Sequence, residues 1–60
     1  MSSRIKIIRK MNKKTVHEVA EYLEISESFY YKIEQGTRTP TLKLAKKISD
    51  LFGVHVEEIF

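Results

Sequence analysis

The chain has 60 residues, no cysteine, and a net charge of +3 from 11 basic and 8 acidic residues. A chain of this length forms one domain with a small core, and without cysteine it has no disulfide or thiolate metal site to stabilise that core. No apolar run approaches the roughly 20 residues of a membrane-spanning helix, and the start of the chain lacks the apolar stretch of a secretory signal. We therefore expect a single cytoplasmic domain, residues 1–60, with no membrane association.

Helix one is predicted over about Ser3–Asn12. Ile5 and Ile8 lie one turn apart, and Ile7 and Met11 form a second row, so this helix is apolar on more than one side. Six of the eleven basic residues precede the first acidic one, namely Arg4, Lys6, Arg9, Lys10, Lys13 and Lys14. Such a block suits a polyanion, but it is equally compatible with a solvated helix end.

Helix two is predicted to start near Val16. Thr15 precedes Glu18 by three residues, which is the spacing of a capping box. Helical apolar spacing then continues to Leu23, and the pattern breaks at residues 24–25.

The break between helices two and three is the most informative joint in the chain. Ser26 is a good N-cap for a third helix over about Glu27–Gln35, which Gly36 ends. A short turn of this kind holds two helices nearly perpendicular, so residues 16–35 are predicted to be a helix-turn-helix unit. The projecting helix would fit the major groove of B-DNA, although the same spacing also describes a hairpin buried in a bundle.

A fourth helix and a short last segment complete the chain. Pro40 disfavours helical geometry at the preceding residue, and Thr41 is an N-cap. An amphipathic stripe follows and is assigned to the core: Leu44, Ala45, Ile48, Leu51 and Phe52. Gly53 ends this helix, and the segment Val54–Phe60 is a short fifth helix or a docking tail.

Motifs along almost the whole chain follow the order and spacing of a known protein family. They are Arg4-Ile5-Lys6, Ile8-Arg9, Thr15, Glu18-Val19-Ala20, Leu23, Ile25-Ser26, Lys32-Ile33-Glu34-Gln35-Gly36, Pro40, Leu42, Leu44-Ala45, Ile48, Gly53-Val54 and Glu57-Glu58-Ile59-Phe60. At these spacings the chain resembles the helix-turn-helix domains of phage lambda-type repressors, Cro proteins and their bacterial relatives. The resemblance implies an all-α, compact five-helix, lambda-repressor-like domain that binds double-stranded DNA and regulates transcription, most simply as a repressor.

The resemblance also implies roles for individual residues. Helix three would read base edges with its first exposed residues and those one turn later: Glu27, Ser28, Tyr31 and Lys32. Contacts to the DNA backbone would come from Thr15, Gln35, Thr37, Arg38 and Lys43. Arg9 and Glu34 would form an internal ion pair between helix one and the end of helix three, and the alternative is two unrelated surface charges.

The base-reading residues differ in their chemistry. Lys32 can donate to guanine O6 or N7, Ser28 can donate or accept, and Glu27 can only accept, with cytosine N4 as the fitting donor. Glu27 also repels phosphate, which predicts more sequence selectivity than affinity. The alternative is that Glu27 only complements the dipole at a helix N-terminus.

Helix three carries three successive aromatic residues, which cannot share one face. Their spacing predicts Tyr30 in the core, Phe29 half-buried against helix two, and Tyr31 exposed towards a thymine methyl, a sugar or a phosphate. Aromatic surface also suits protein contacts. The alternative function is therefore a protein-interaction module, or an antitoxin-like partner, with the same fold.

Some residues depart from the family pattern. Val16 stands where a Gln commonly orients helix three, and Glu24 replaces a Gly, which would cost roughly 1 kcal/mol in a left-handed conformation. Residues 13–14 are lysines where Gly and an aliphatic residue are common. One core position is then either solvated or filled by Met11 or Ile7.

Family members usually bind palindromic operators as two-fold dimers. We expect a homodimer with an interface formed by the exposed edge of helix four together with Val56, Ile59 and Phe60. His17 and His55 lack the spacing of metal ligands, and the sequence has no glycine-rich phosphate loop, so we expect no enzyme activity, metal or cofactor. Sixty residues leave no room for a ligand-sensing domain, so we expect no small-molecule ligand.

Overall fold

A computed structural model describes residues 4–59, which form five α-helices and contain no strand. The helices are α1 (Arg4–Met11), α2 (Val16–Leu23), α3 (Glu27–Gln35), α4 (Leu42–Phe52) and α5 (Val56–Ile59). The all-α, five-helix prediction is confirmed. Helix one is one residue shorter than predicted at its C-terminal end, and its predicted first residue, Ser3, lies outside the described range. No helix between residues 4 and 59 is long and apolar enough to cross a membrane.

Hydroxyl N-caps start α2, α3 and α4 where the sequence predicts them. Thr15 Oγ1 accepts the Glu18 backbone N–H at 3.1 Å, and the Glu18 carboxylate accepts the Thr15 N–H at 2.8 Å, which completes the capping box. This hydrogen bond lowers the pKa of Glu18. At α3 and α4 the hydroxyls of Ser26 and Thr41 accept the backbone N–H groups of Phe29 and Leu44, without the reciprocal carboxylate contact. Each cap contributes about 1 kcal/mol to stability, which explains why the helix starts follow the sequence closely.

Within residues 4–59, two residues other than glycine adopt the left-handed conformation. They are Lys13, with φ of 57°, and Glu24, with φ of 60°. Glu24 ends α2 and forms the turn that leads into α3. Because a side chain crowds the backbone in this conformation, the strain expected at Glu24, roughly 1 kcal/mol, is present in the fold.

One face of each helix contributes side chains to the hydrophobic core. Its buried hydrophobic residues are Ile5, Val19, Ala20, Leu23, Tyr30, Ile33, Ala45, Ile48, Phe52 and Ile59. The predicted stripe of α4 faces inwards, with Leu44 and Leu51 only partly buried. Ile7 and Met11 are exposed, so neither fills the core position that the sequence left open. Residues 56–59 form a short fifth helix, the first of the two predicted alternatives, and this helix packs against α1 and α4.

The two ends of the described chain lie together. Arg4 Nη1 donates a hydrogen bond to the backbone carbonyl of Glu58 at 2.9 Å. This contact joins the first turn of α1 to the last turn of α5.

Candidate nucleic-acid interface

The third helix has one buried and one exposed side. Tyr30, Ile33 and Glu34 are buried, which confirms the predicted position of Tyr30, and Phe29 is partly buried against the core. The exposed residues recur at helical spacing: Glu27, Ser28, Tyr31, Lys32 and Gln35. The four residues proposed to read bases therefore share one solvent-facing side of α3 with Gln35.

A buried ion pair ties the inner side of α3 to α1. Arg9 Nε donates to Glu34 Oε2 at 2.6 Å, and Arg9 Nη2 lies 3.4 Å from Glu34 Oε1. The two residues are 8% and 3% exposed. The pair fixes the position of α3 from its inner side, because a buried Arg and carboxylate in bidentate contact have little freedom to separate.

Two further hydrogen bonds complete this buried network. The Tyr30 hydroxyl donates to Glu34 Oε2 at 2.7 Å, and Arg9 Nη1 donates to the Lys14 carbonyl at 3.0 Å. Within residues 4–59 no buried side-chain polar atom lacks a hydrogen-bond partner. Burial and the hydrogen bond to Glu34 raise the pKa of Tyr30 far above its ordinary 10.0, so this phenol stays neutral. The hydrogen bond to Glu34 raises the pKa of Arg9, which stays charged.

The segment after α3 is fastened to the last turn of that helix. The backbone N–H and the hydroxyl of Thr37 donate to the Lys32 carbonyl at 3.0 and 3.2 Å, and the Arg38 N–H reaches the same carbonyl at 3.4 Å. The Arg38 guanidinium lies over the Phe29 ring, 5.9 Å from its centroid, within cation–π range. The structure thus brings Thr37 and Arg38 beside the C-terminal part of α3.

The other predicted backbone contacts are more widely spread. Gln35 is exposed at the end of α3, whereas Thr15 and Lys43 are exposed at the starts of α2 and α4. Among residues 4–59, Thr15 and Lys43 form no hydrogen bond with α3, and the Thr15 hydroxyl is engaged in the capping box. Both lie at helix N-termini, where backbone N–H groups favour anions.

A contact between side chains joins the starts of α2 and α3. His17 Nδ1 lies 2.8 Å from Glu27 Oε2, and His17 Nε2 lies 3.8 Å from Glu21 Oε1. The His17 and Glu27 side chains are 69% and 58% exposed. The hydrogen bond to Glu27, together with the charges of Glu27, Glu21 and Glu18, raises the pKa of His17 above its ordinary 6.5.

Sequence reasoning missed three contacts around α3. The Tyr30–Glu34 hydrogen bond had a signal, because residues four apart lie on the same face of a helix. The contact of His17 with Glu27 and the stacking of Arg38 on Phe29 depend on how separate segments cross, which no local pattern specifies.

The residues predicted for a dimer interface lie in different environments. Ile59 is 8% exposed and belongs to the core of its own domain, so little of its side chain is left for a partner. Val56 is partly exposed, and Phe60 lies outside the described residues. Leu42, at the start of α4, is 68% exposed and is the largest apolar contribution to the free edge of that helix.

Comparisons with known proteins agree with this geometry. The sequence model of the helix-turn-helix family matches residues 5–59. An uncharacterised helix-turn-helix-type transcriptional regulator of Methanocaldococcus jannaschii is 38% identical over 60 residues, which cover all of this chain and 91% of that protein. Another such regulator, from Archaeoglobus fulgidus, is 35% identical over 60 residues, or 84% of its length. The chain therefore belongs to the helix-turn-helix family of transcriptional regulators, of the lambda-repressor and Cro type.

Proposed function

We propose that this protein is a sequence-specific regulator that binds double-stranded DNA with the exposed side of α3 in the major groove. The observation that carries the proposal is the two-sided construction of α3. Its inner side is fixed by Arg9, Glu34 and Tyr30, while its outer side is exposed to solvent. The major groove admits an α-helix, and residues near the start of that helix reach base edges.

Base recognition is assigned to the outer side of α3. Lys32 donates to guanine, Glu27 accepts from cytosine N4, Ser28 forms a hydrogen bond with either kind of base edge, and Tyr31 contacts a thymine methyl or a sugar. A good bidentate contact with a base edge contributes about 1–3 kcal/mol of discrimination, whereas a contact with a sugar contributes to affinity alone.

Contacts to phosphate are assigned to Thr15, Gln35, Thr37, Arg38 and Lys43. Arg38 is the strongest of these candidates because its guanidinium is held over Phe29. A cation that is already restrained loses less conformational freedom when it binds a phosphate.

The protein acts, in this proposal, as a homodimeric repressor on a palindromic operator. A two-fold dimer places two copies of α3 about one turn of B-DNA apart. The exposed Leu42 and the partly exposed Val56 offer apolar surface for the partner subunit. Phe60 remains a candidate for the same surface.

Selection from a random duplex library, followed by titration of the winning duplex at several salt concentrations, tests this function. We expect a palindrome and a steep salt dependence, since each neutralised phosphate releases counterions. Arg38→Ala should weaken binding to all sequences and lower the salt slope by about one per protomer, whereas Lys32→Ala should relax the preference for one base. Lys47→Ala, which removes an exposed charge outside the proposed interface, is the matched control. No enrichment even at low salt would overturn the proposal.

A protein-interaction module, or an antitoxin-like partner, is the second candidate. The observation in its favour is the exposed aromatic surface of Tyr22 and Tyr31, which are 53% and 49% exposed. Tyr30 is buried and Phe29 is partly covered, so Tyr31 is the main exposed aromatic residue of α3, as the spacing predicts. This candidate predicts binding with a weak salt dependence to another protein.

A further inference from the structure

We propose that His17 is a positioning residue of the reading surface, which aims Glu27 at its base and couples DNA binding to the uptake of up to one proton per protomer. The inference rests on the proposed DNA-binding function and goes beyond it. It assigns a role to a side chain on α2 that does not itself read a base.

The first support is the geometry of the contact. His17 stands in the first turn of α2 and Glu27 is the first residue of α3, and the two side chains meet at 2.8 Å. The contact uses Glu27 Oε2. A carboxylate has a second oxygen, which remains available to accept from cytosine N4. Because an exposed Glu otherwise samples many rotamers, a fixed partner restricts the directions in which that second oxygen points.

The second support is the charge around the contact. Among residues 4–59, the charges that raise the pKa of His17 most are acidic: Glu27 from α3, and Glu21 and Glu18 from α2 itself. Protonated His17 therefore offsets a carboxylate that would otherwise lie against the phosphates. Neutral His17 still forms a hydrogen bond with Glu27 but offsets no charge. Approach of a polyanion favours the protonated form further, so binding takes up a proton and affinity rises as pH falls.

The contact is separate from what holds the fold together. The start of α2 is stabilised by Thr15 and Glu18, and α3 is held by Arg9 and Glu34. Since His17 and Glu27 are mostly exposed, their substitution leaves a folded protein in which DNA binding can be measured.

The experiment titrates the full chain with its selected duplex between pH 5.5 and 8.5 at fixed salt. Over this range histidine is the side chain that ordinarily titrates. The wild-type affinity should fall as pH rises, by about tenfold per protomer for each unit by which DNA raises the pKa of His17. His17→Gln keeps a donor for Glu27 but carries no proton, so its pH profile should be flat while its base preference is retained. His55→Gln, the matched control, should keep the wild-type profile.

A second measurement isolates the positioning role. Library selection with Glu27→Gln identifies the base pair whose preference depends on Glu27, and a duplex altered at that pair is then compared with the original. His17→Ala should lose discrimination at this pair and keep it elsewhere in the site.

The outcomes separate this inference from the proposed function. If no duplex is enriched, both fall. If a duplex binds with a steep salt dependence but His17→Gln keeps the wild-type pH profile, or His17→Ala keeps full discrimination at the Glu27-dependent pair, only the role of His17 is overturned.

Discussion

The third helix makes two charged contacts with its neighbours, and they differ in almost every physical respect. On its inner side Glu34 meets Arg9 at 2.6 Å in a buried network. At its start Glu27 meets His17 at 2.8 Å with both side chains mostly exposed. Water can replace a lost partner at the second contact but not at the first. The buried pair therefore stabilises the fold. The exposed pair can instead affect the direction in which the Glu27 carboxylate points, with little effect on stability.

The largest expected effect is at the buried pair. Arg9→Met should lower the free energy of unfolding by about 3–5 kcal/mol, because it leaves Glu34 buried and uncompensated. A domain of this size is stable by only roughly 3–9 kcal/mol in total, so the variant should be at the limit of folding. Urea denaturation followed by circular dichroism measures the loss.

Lys10→Met is the matched control, since it removes a neighbouring but exposed charge from the same helix. It should change stability by no more than about 0.5 kcal/mol. An Arg9→Met protein that melts like the wild type would break the comparison.

The hydroxyl of Tyr30 is the next largest contribution on the buried side. Tyr30→Phe removes a donor to an ionised carboxylate and should cost about 1.5–3 kcal/mol, measured in the same urea titration. Tyr31→Phe, on the exposed side of α3, should cost close to nothing. Equal losses in the two variants would contradict the proposed division of α3.

The contribution of the Tyr30 hydroxyl to stability should also appear in the dependence of unfolding on alkaline pH. The folded state raises the pKa of Tyr30 far above the 10.0 expected in the unfolded chain. Its contribution to stability is therefore complete below pH 10 and is lost above it, where the unfolded chain releases the proton and the folded protein does not. Thermal melts from pH 8 to 11 should show a steeper decline for the wild type than for Tyr30→Phe. Parallel curves would contradict this assignment.

A smaller effect, which raises stability, is expected at Glu24 in the turn between α2 and α3. Glu24→Gly should raise stability by up to about 0.5 kcal/mol, because relief of the left-handed strain is partly offset by the added freedom of glycine in the unfolded chain. Glu24→Ala keeps the strain and should show no gain. A gain of the same size in both variants would assign the effect to the lost charge rather than to the backbone.

The smallest effect on stability is expected at the exposed pair. His17→Ala should leave the unfolding midpoint at pH 8 unchanged. The folded state raises the pKa of His17, so any stabilisation is present below about pH 6.5 and fades as pH rises. Melts at pH 5 and pH 8 check this, and a large loss at pH 8 would show that the contact belongs to the fold.

How much of this structure the sequence predicts depends on how far apart in the chain the interacting residues lie. Local chemistry places the helix ends, because a hydroxyl such as Ser26 or a glycine such as Gly36 acts within one turn. Spacing along one helix is enough to place Tyr30 in the core. The contact of His17 with Glu27 spans two helices and was not predicted, since it depends on their crossing.

The same limit explains the first helix. Ile5 and Ile7 both belong to rows with helical spacing, yet only Ile5 is buried. The choice between the rows is made by α3 and α5, which pack against α1 from one side. The apolar pattern of one helix does not specify which of its sides the neighbouring helices pack against.

The hydrogen bond from Arg4 to the Glu58 carbonyl has a topological consequence. Together with the packing of α5 against α1, it holds the first and last helices of residues 4–59 side by side. A circular permutant, with residues 4 and 59 joined by a short flexible linker and new ends placed in an exposed turn, should retain the same core. The same contacts between helices would then form in a chain that begins at a different helix. The order of the helices along the chain is, in that case, not required for their packing.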